Sequence, residues 1–323
     1  MAQTEKLSNA DRASLRQKFL QWFAKSTQKQ LDIVITGKTG VGKSRLVNAL
    51  VGRHVAKEGR ERKDCTDHVT PYRAVIDGIE VLVWDSPGLR DGAFNEELYF
   101  TKLAENLKSG FDVMIYCIKM DDKRFYDEDQ KAIQTLTKGF GKDLWKKTVI
   151  ALTFANKIED PDEEDELAYF IGEKYFWEKA IDEYLIQLDI ADQVRRDLPV
   201  VEAGNYKKLR LPTTEHWLAE LWTKCLSVMT HSAGLALYQI NKNRLKFSCS
   251  EDMAAACSQA QSRNDMPSSP GADDPGDIPK EIPLNQEQED KFFSKMWAAF
   301  VMSGVASIAL TVTFGILRVL FRR

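Results

Sequence analysis

The sequence predicts an α/β fold: a doubly wound, mostly parallel sheet with helices on both faces, followed by a C-terminal transmembrane helix. Three observations predict it. Short unbroken apolar runs recur between residues 31 and 205, as in strands covered on both faces. Between them lie stretches with apolar residues at helical spacing, and strand alternating with helix builds a parallel sheet. Residues 296–317 carry no charge. A helix of that length reaches roughly 33 Å at about 1.5 Å per residue, enough for a bilayer core.

The elements follow in order. Residues 1–30 form a first segment, in which 9–29 read as an amphipathic helix carrying Leu15, Phe19, Trp22 and Phe23 on or near one face; docking on the main domain is its expected use. The main domain spans 31–247. Its strands are LDIVITG from 31, VLVWDS from 81, FDVMIYCIKM from 111, TVIALTFAN from 148 and LPVVEAGN from 198. KSRLVNALVG follows the first strand as a helix with Leu46, Ala49 and Leu50 at helical spacing. Further helices are predicted at 97–109, 127–141 and 162–188, and at 214–229, where Leu218, Leu221, Trp222, Cys225 and Met229 share a face. Residues 248–295 are rich in Ser, Pro, Asp, Gln and Gly. Such a segment cannot bury enough apolar surface to offset chain entropy, so a flexible tether is expected. The transmembrane helix covers 296–317, with Trp297 at its edge, and a basic tail, 318–323, ends the sequence.

Composition narrows the function. The chain has 323 residues, 43% hydrophobic and 29% charged, ample for one substantial core. A net charge of −3 argues against a nucleic-acid partner. Arg53, Lys57, Arg60, Arg62 and Lys63 cluster, but Glu58 and Glu61 interrupt them, as in a solvated loop. The cysteines, Cys65, Cys117, Cys225, Cys249 and Cys257, include no CxxC pair, and the four histidines show no metal-ligand spacing. A reduced, intracellular protein is expected.

The chemistry concentrates in one turn. Gly37-Lys38-Thr39-Gly40-Val41-Gly42-Lys43-Ser44 matches GxxxxGK[ST] between a predicted strand and a predicted helix. Glycines let backbone N–H groups turn inward around phosphate oxygens, and the helix that follows points its positive end at the same anion. Lys43 is expected on the terminal phosphates and Ser44 on Mg²⁺. The fold is therefore that of a P-loop NTPase. Asp85-Ser86-Pro87-Gly88 follows an apolar strand about forty residues later. Asp85 is placed to hold the metal, and the Gly88 N–H to sense the last phosphate. The polar segment between them should supply a threonine that closes over the metal: Thr66 or Thr70, with Thr66 preferred.

Base recognition admits two registers. Asn156-Lys157-Ile158-Glu159 resembles NKxD with Glu in the last place, and a carboxylate there would accept from guanine. Alternatively Thr153-Phe154-Ala155-Asn156 is the working tetrad, with Phe154 packing against the base. Asn156 serves in both. Asn205 or backbone N–H groups in the turn after the last strand should add a third contact.

GKTGVGKSRLVNAL, WDSPGL and the run from RFYDEDQKAI through GFG to KKTVIALTFAN together resemble the paraseptin GTPases, which comprise the GIMAP (immunity-associated) proteins and the receptor GTPases of the chloroplast outer-envelope translocon. The resemblance covers about 31–240, and its most specific part is 124–140. It implies a GTP-binding domain that dimerises through its nucleotide face, often with a C-terminal membrane anchor. Two departures bear on function. Members usually carry Thr-His where this chain has Thr153-Phe154, which loses the histidine's hydrogen bond. Leu89 follows Gly88 where many GTPases have a glutamine that orients the attacking water, so slow hydrolysis is expected. Arg53, Arg60, Arg62 and Arg124 are the cations available to act in trans.

These readings converge on a GTP/GDP- and Mg²⁺-binding, dimerising switch or scaffold on an organelle membrane, tail-anchored with its GTP-binding domain facing the cytosol. The rival expectations are a mechanical or promiscuous NTPase acting on membranes and a non-hydrolysing, nucleotide-bound tether.

Overall fold

The computed structural model describes residues 9–38, 40–57, 71–85, 103–107, 110–122, 124–125, 127–159, 165–247 and 278–303. A six-stranded sheet forms the centre, in the order β2-β3-β1-β4-β5-β6. Its strands are β1 (Gln30–Gly37), β2 (Tyr72–Ile76), β3 (Ile79–Asp85), β4 (Val113–Lys119), β5 (Thr148–Thr153) and β6 (Val200–Ala203). β2 pairs antiparallel with β3 and every other pairing is parallel. The mostly parallel sheet read from the sequence is thus present, and the antiparallel β2 is an added edge strand. Its alternating exposure explains why no unbroken apolar run announced it.

β1, β4 and β5 are buried almost throughout. Ile33, Val34 and Ile35 of β1 lie between Val83, Val34's partner Trp84 and Asp85 on one side and Val113, Met114 and Ile115 on the other. The chain leaves β1 toward β3 and later returns to β4 on β1's opposite flank. That reversal of direction opens a crevice at the strand's C-terminal end, where α/β proteins bind ligands. Helix α2 (Lys43–Val51) starts there.

The remaining helices are α1 (Asn9–Ser26), α3 (Asp127–Phe140), α4 (Glu166–Gln187), α5 (Asp192–Asp197), α6 (Trp217–Val228), α7 (His231–Asn241) and α8 (Gln286–Met302). α2 packs on β1, α6 and α7. α1 docks through Phe19 and Trp22, both buried, with ring centroids 5.2 and 5.3 Å from Phe300. The side chain of Leu15 lies outside the description.

Two sequence expectations are corrected at the C-terminal side. The flexible tether was expected to run to residue 295, yet from Ile278 to Ser303 the chain is folded onto the domain. Ile282–Pro283 (β8) pairs in parallel with Leu245–Lys246 (β7). α8 then opens with a reciprocal cap: Asn285 Oδ1 accepts the Gln288 N–H at 3.0 Å and Gln288 Oε1 accepts the Asn285 N–H at 2.9 Å. Phe292, Phe293, Met296, Trp297 and Phe300 of α8 are buried, which is the one-sided spacing of a docked helix. Their apolar periodicity begins inside the stretch whose overall composition reads as tether.

The predicted span loses its first third to the same helix. Residues 296–302 belong to α8, and Trp297 packs against Phe300 at 5.5 Å instead of marking a membrane edge. Among the described residues no helix is long and apolar enough to cross a membrane. The rest of the predicted span, 304–317, and the basic tail lie outside the described residues.

Candidate functional site

The turn after β1 is shaped by three glycines at positive φ, Gly37, Gly40 and Gly42. Gly37 has φ 137°, and a Cβ there would lie 2.3 Å from the Cys117 carbonyl oxygen on β4. Only glycine lets the loop leave the sheet at this point. Gly42 has φ 82° and caps α2; a Cβ on it would face the Phe154 ring at 3.9 Å. The loop therefore bends its backbone around the N-terminus of α2, where unpaired N–H groups and the helix dipole favour an anion.

Lys43, the first residue of α2, is buried. Its Nζ donates to the carbonyls of Gly37 at 3.0 Å and Lys38 at 2.9 Å, spanning the cradle from within. Val41 is buried in the loop. Gly40 has open space where a Cβ would stand. Lys38 contributes backbone to the cradle, while its side chain turns away to Asp129 on α3 at 2.6 Å in a buried ion pair. Ser44 Oγ donates to Asp85 Oδ2 at 3.3 Å, so the two expected metal ligands meet at the tips of α2 and β3. A hydroxyl beside a carboxylate, with room for phosphate oxygens and water, is an oxygen donor set suited to Mg²⁺. Cys117 lies beneath the cradle with its thiol pushed up to about 12 by burial, which keeps it protonated and inert. Thr39, Thr66, Thr70, Gly88 and Leu89 lie outside the described residues.

Beside the cradle a small cavity of about 100 Å³ is lined by Val41, Gly42, Phe154, Asn156, Tyr206 and Trp217 among others. Phe154 sits at φ 59°, a left-handed conformation that a bulky residue holds only when its surroundings demand it. Lys157 Nζ lies 4.4 Å and Lys119 Nζ 5.6 Å from the ring centroid. Burial pulls the Lys119 pKa down, but Asp121 and Asp122 more than offset it and leave it raised.

Of the two base-recognition registers, the structure brings Thr153, Phe154 and Asn156 to the cavity, while Glu159 is exposed and Lys157 serves the Phe154 ring. Asn205 also lines the cavity, but its Oδ1 accepts the N–H groups of Lys207 and Lys208, both at 2.9 Å. It shapes its own turn, as asparagine commonly does. Sequence reasoning missed Arg45, Tyr206 and Trp217. Tyr206 stands next to Asn205 in the expected turn, and nothing in its type or spacing marks it as a cavity wall. Arg53 and Arg124 are exposed; Arg60 and Arg62 lie outside the described residues.

The chain is similar to several known proteins. Residues 31–179 match the model of the AIG1 family. A translocase of chloroplast 33 from Arabidopsis thaliana is 28% identical over 242 residues, covering 68% of this chain and 77% of that protein. A translocase of chloroplast 34 homolog from Chlamydomonas reinhardtii is 33% identical over 146 residues, covering 42% of this chain and only 37% of the relative. The crystal structure of Toc33 from Arabidopsis thaliana in complex with GDP and Mg²⁺ overlays at TM-score 0.50 and 22% identity, covering 71% of this chain and 92% of that one. A dimerisation-deficient mutant of the same protein overlays at TM-score 0.51 and 22% identity, with 74% and 96% covered. The chain thus carries the fold of Toc33 and, over residues 31–179, is similar to the AIG1 family.

Proposed function

We propose that the protein binds GTP and GDP with Mg²⁺ and works as a nucleotide-dependent dimerising switch or scaffold with slow hydrolysis. One observation carries the reading: the Lys43 cradle and the cavity of Phe154 and Asn156 share Val41 and Gly42 as their common wall. An anion seated at the N-terminus of α2 has a small cavity lined by aromatic and polar side chains at its side, the layout that a nucleoside phosphate requires.

In this reading the loop N–H groups and Lys43 hold the phosphates, Ser44 and Asp85 hold the metal, and Phe154 stacks on the base while Asn156 hydrogen-bonds its edge. Bound Mg²⁺ would neutralise phosphate charge. Thr66 and Gly88 would contact the metal and the last phosphate. Leu89 offers no hydrogen bond to an attacking water, which is the basis for slow turnover. Dimerisation through the nucleotide face is drawn from the resemblance and from Toc33, a mutant of which is described as dimerisation-deficient. Membrane attachment rests on the sequence beyond Ser303 and on the relatives' names as chloroplast translocases.

Competition between GTP and ATP for the intact protein tests base choice. Displacement of bound GDP by GTP but not by equimolar ATP supports the GTPase reading. Equal displacement supports a promiscuous NTPase. Retention of the full chain in membranes after alkaline carbonate washing tests the anchor.

A further inference from the structure

We infer that Tyr206 is the residue that sets the size of the base cavity and fixes its wall to the phosphate-binding helix. The inference rests on reading that cavity as a base site.

Tyr206 is buried and lines the cavity. Its O–H donates to the carbonyl oxygen of Arg45, in the first turn of α2. The Arg45 guanidinium lies over its ring, 4.5 Å from the centroid. One aromatic side chain from the turn after β6 is therefore bonded at its tip and covered on one face by the residue that directly follows Ser44. The turn is pinned elsewhere too. Trp217 Nε1 donates to the Asn205 carbonyl at 3.3 Å, and Asn205 caps the N–H groups of Lys207 and Lys208. Gly204 passes so close that a Cβ would meet the Lys208 carbonyl oxygen at 3.0 Å and Trp217 Nε1 at 3.3 Å.

These contacts make the wall rigid and tie it to the cradle. A cavity of about 100 Å³ is far below the several hundred Å³ of a site for a drug-sized ligand. Bonded at its tip and covered on one face by Arg45, the Tyr206 ring occupies the space that a bulky substituent on the base would need. Tyr206 thus selects by exclusion, while Asn156 selects by hydrogen bonding.

The test uses the intact protein and competition against a ribose-labelled fluorescent GDP. The competitors are GDP and GDP analogues enlarged on the base at O6, N2 or C8 with a benzyl or phenyl group. Wild type should bind GDP and refuse the enlarged analogues. Tyr206→Ala should bind GDP more weakly and at least one enlarged analogue ~10-fold or more tightly than wild type does, a gain that misfolding cannot produce. Tyr206→Phe keeps the ring but loses the bond to Arg45. It should still refuse the enlarged analogues and should release GDP ~5–10-fold faster. Wild type and Tyr206→Ala ranking the analogues identically, or Tyr206→Phe releasing GDP at the wild-type rate, overturns the inference alone. Absence of GDP binding by wild type overturns the base-site reading beneath it.

Discussion

Gly37 shows how one atom can decide whether the site exists. A methyl group at that position would overlap the Cys117 carbonyl, and φ 137° is itself costly for any other residue. Gly37→Ala should therefore destabilise the domain by about 3 kcal/mol or more, read as a lower urea midpoint at unchanged slope. Asp85 makes a different kind of prediction, because it touches Ser44 and lies at the tip of β3. Asp85→Asn should cut the Mg²⁺-dependent gain in nucleotide affinity by ~10–100-fold, with affinity in EDTA nearly unchanged. An equal loss with and without metal would remove Asp85 from the metal site. At this scale the glycine turn was legible, since GxxxxGK[ST] encodes a backbone shape that few residue choices permit. The cavity beside it was half legible. Phe154 and Asn156 follow a strand whose apolar run marks its own end, whereas Tyr206 acts through a contact with Arg45 across 161 residues, which no local pattern records.

Helix α8 is the element where sequence reasoning failed, and the reason is physical. Composition averaged over 248–295 hides a helix that is apolar on one face only, and the uncharged run after Lys295 matches a membrane span and a docked helix equally well. The docking is specific. Lys295 Nζ donates to the carbonyls of Met229 at 2.6 Å and Ser227 at 3.3 Å, and also to that of Leu226, closing the C-terminus of α6. Arg244 Nη2 meets the carbonyls of Ala49 at 2.8 Å and Pro279 at 2.7 Å, which joins the end of α2 to the chain that leads into α8. Burial pushes the Lys295 pKa down from 10.5 to about 8. Below pH 8 the folded and unfolded chains both hold this proton, so stability does not vary with pH through it. Between 8 and about 10.5 the folded protein has released the proton and the unfolded chain has not, so stability rises with pH. Denaturation of wild type and Lys295→Met across pH 7–10.5 should show wild type gaining about 1–2 kcal/mol on the variant, after discounting for solvent screening. A constant difference would mean that the ammonium is not desolvated and that α8 is not docked.

On the scale of the whole molecule, the fold class follows from alternation. Buried parallel strands and helical segments take turns, and the strand order reverses at β1, so the ligand crevice falls where the glycine loop lies. The edge strand β2 and the docked C-terminal helix were the parts not legible, because both lean on distant partners. The dimer proposal also belongs here. Single-turnover GTP hydrolysis by the full chain should speed up with protein concentration if a second copy completes the site, while a rate independent of concentration would leave each copy to act alone.

The measurement that reaches the centre of the account is calorimetric titration of the intact protein with GTP and Mg²⁺, beside Lys43→Ala. Lys43 sits inside the cradle on the carbonyls of Gly37 and Lys38, where it must contribute to any phosphate bound there. Wild type should bind saturably, and the variant should lose ~100-fold or more in affinity. Folded wild-type protein that takes up no purine triphosphate, or a variant that binds GTP as tightly as wild type, would contradict it.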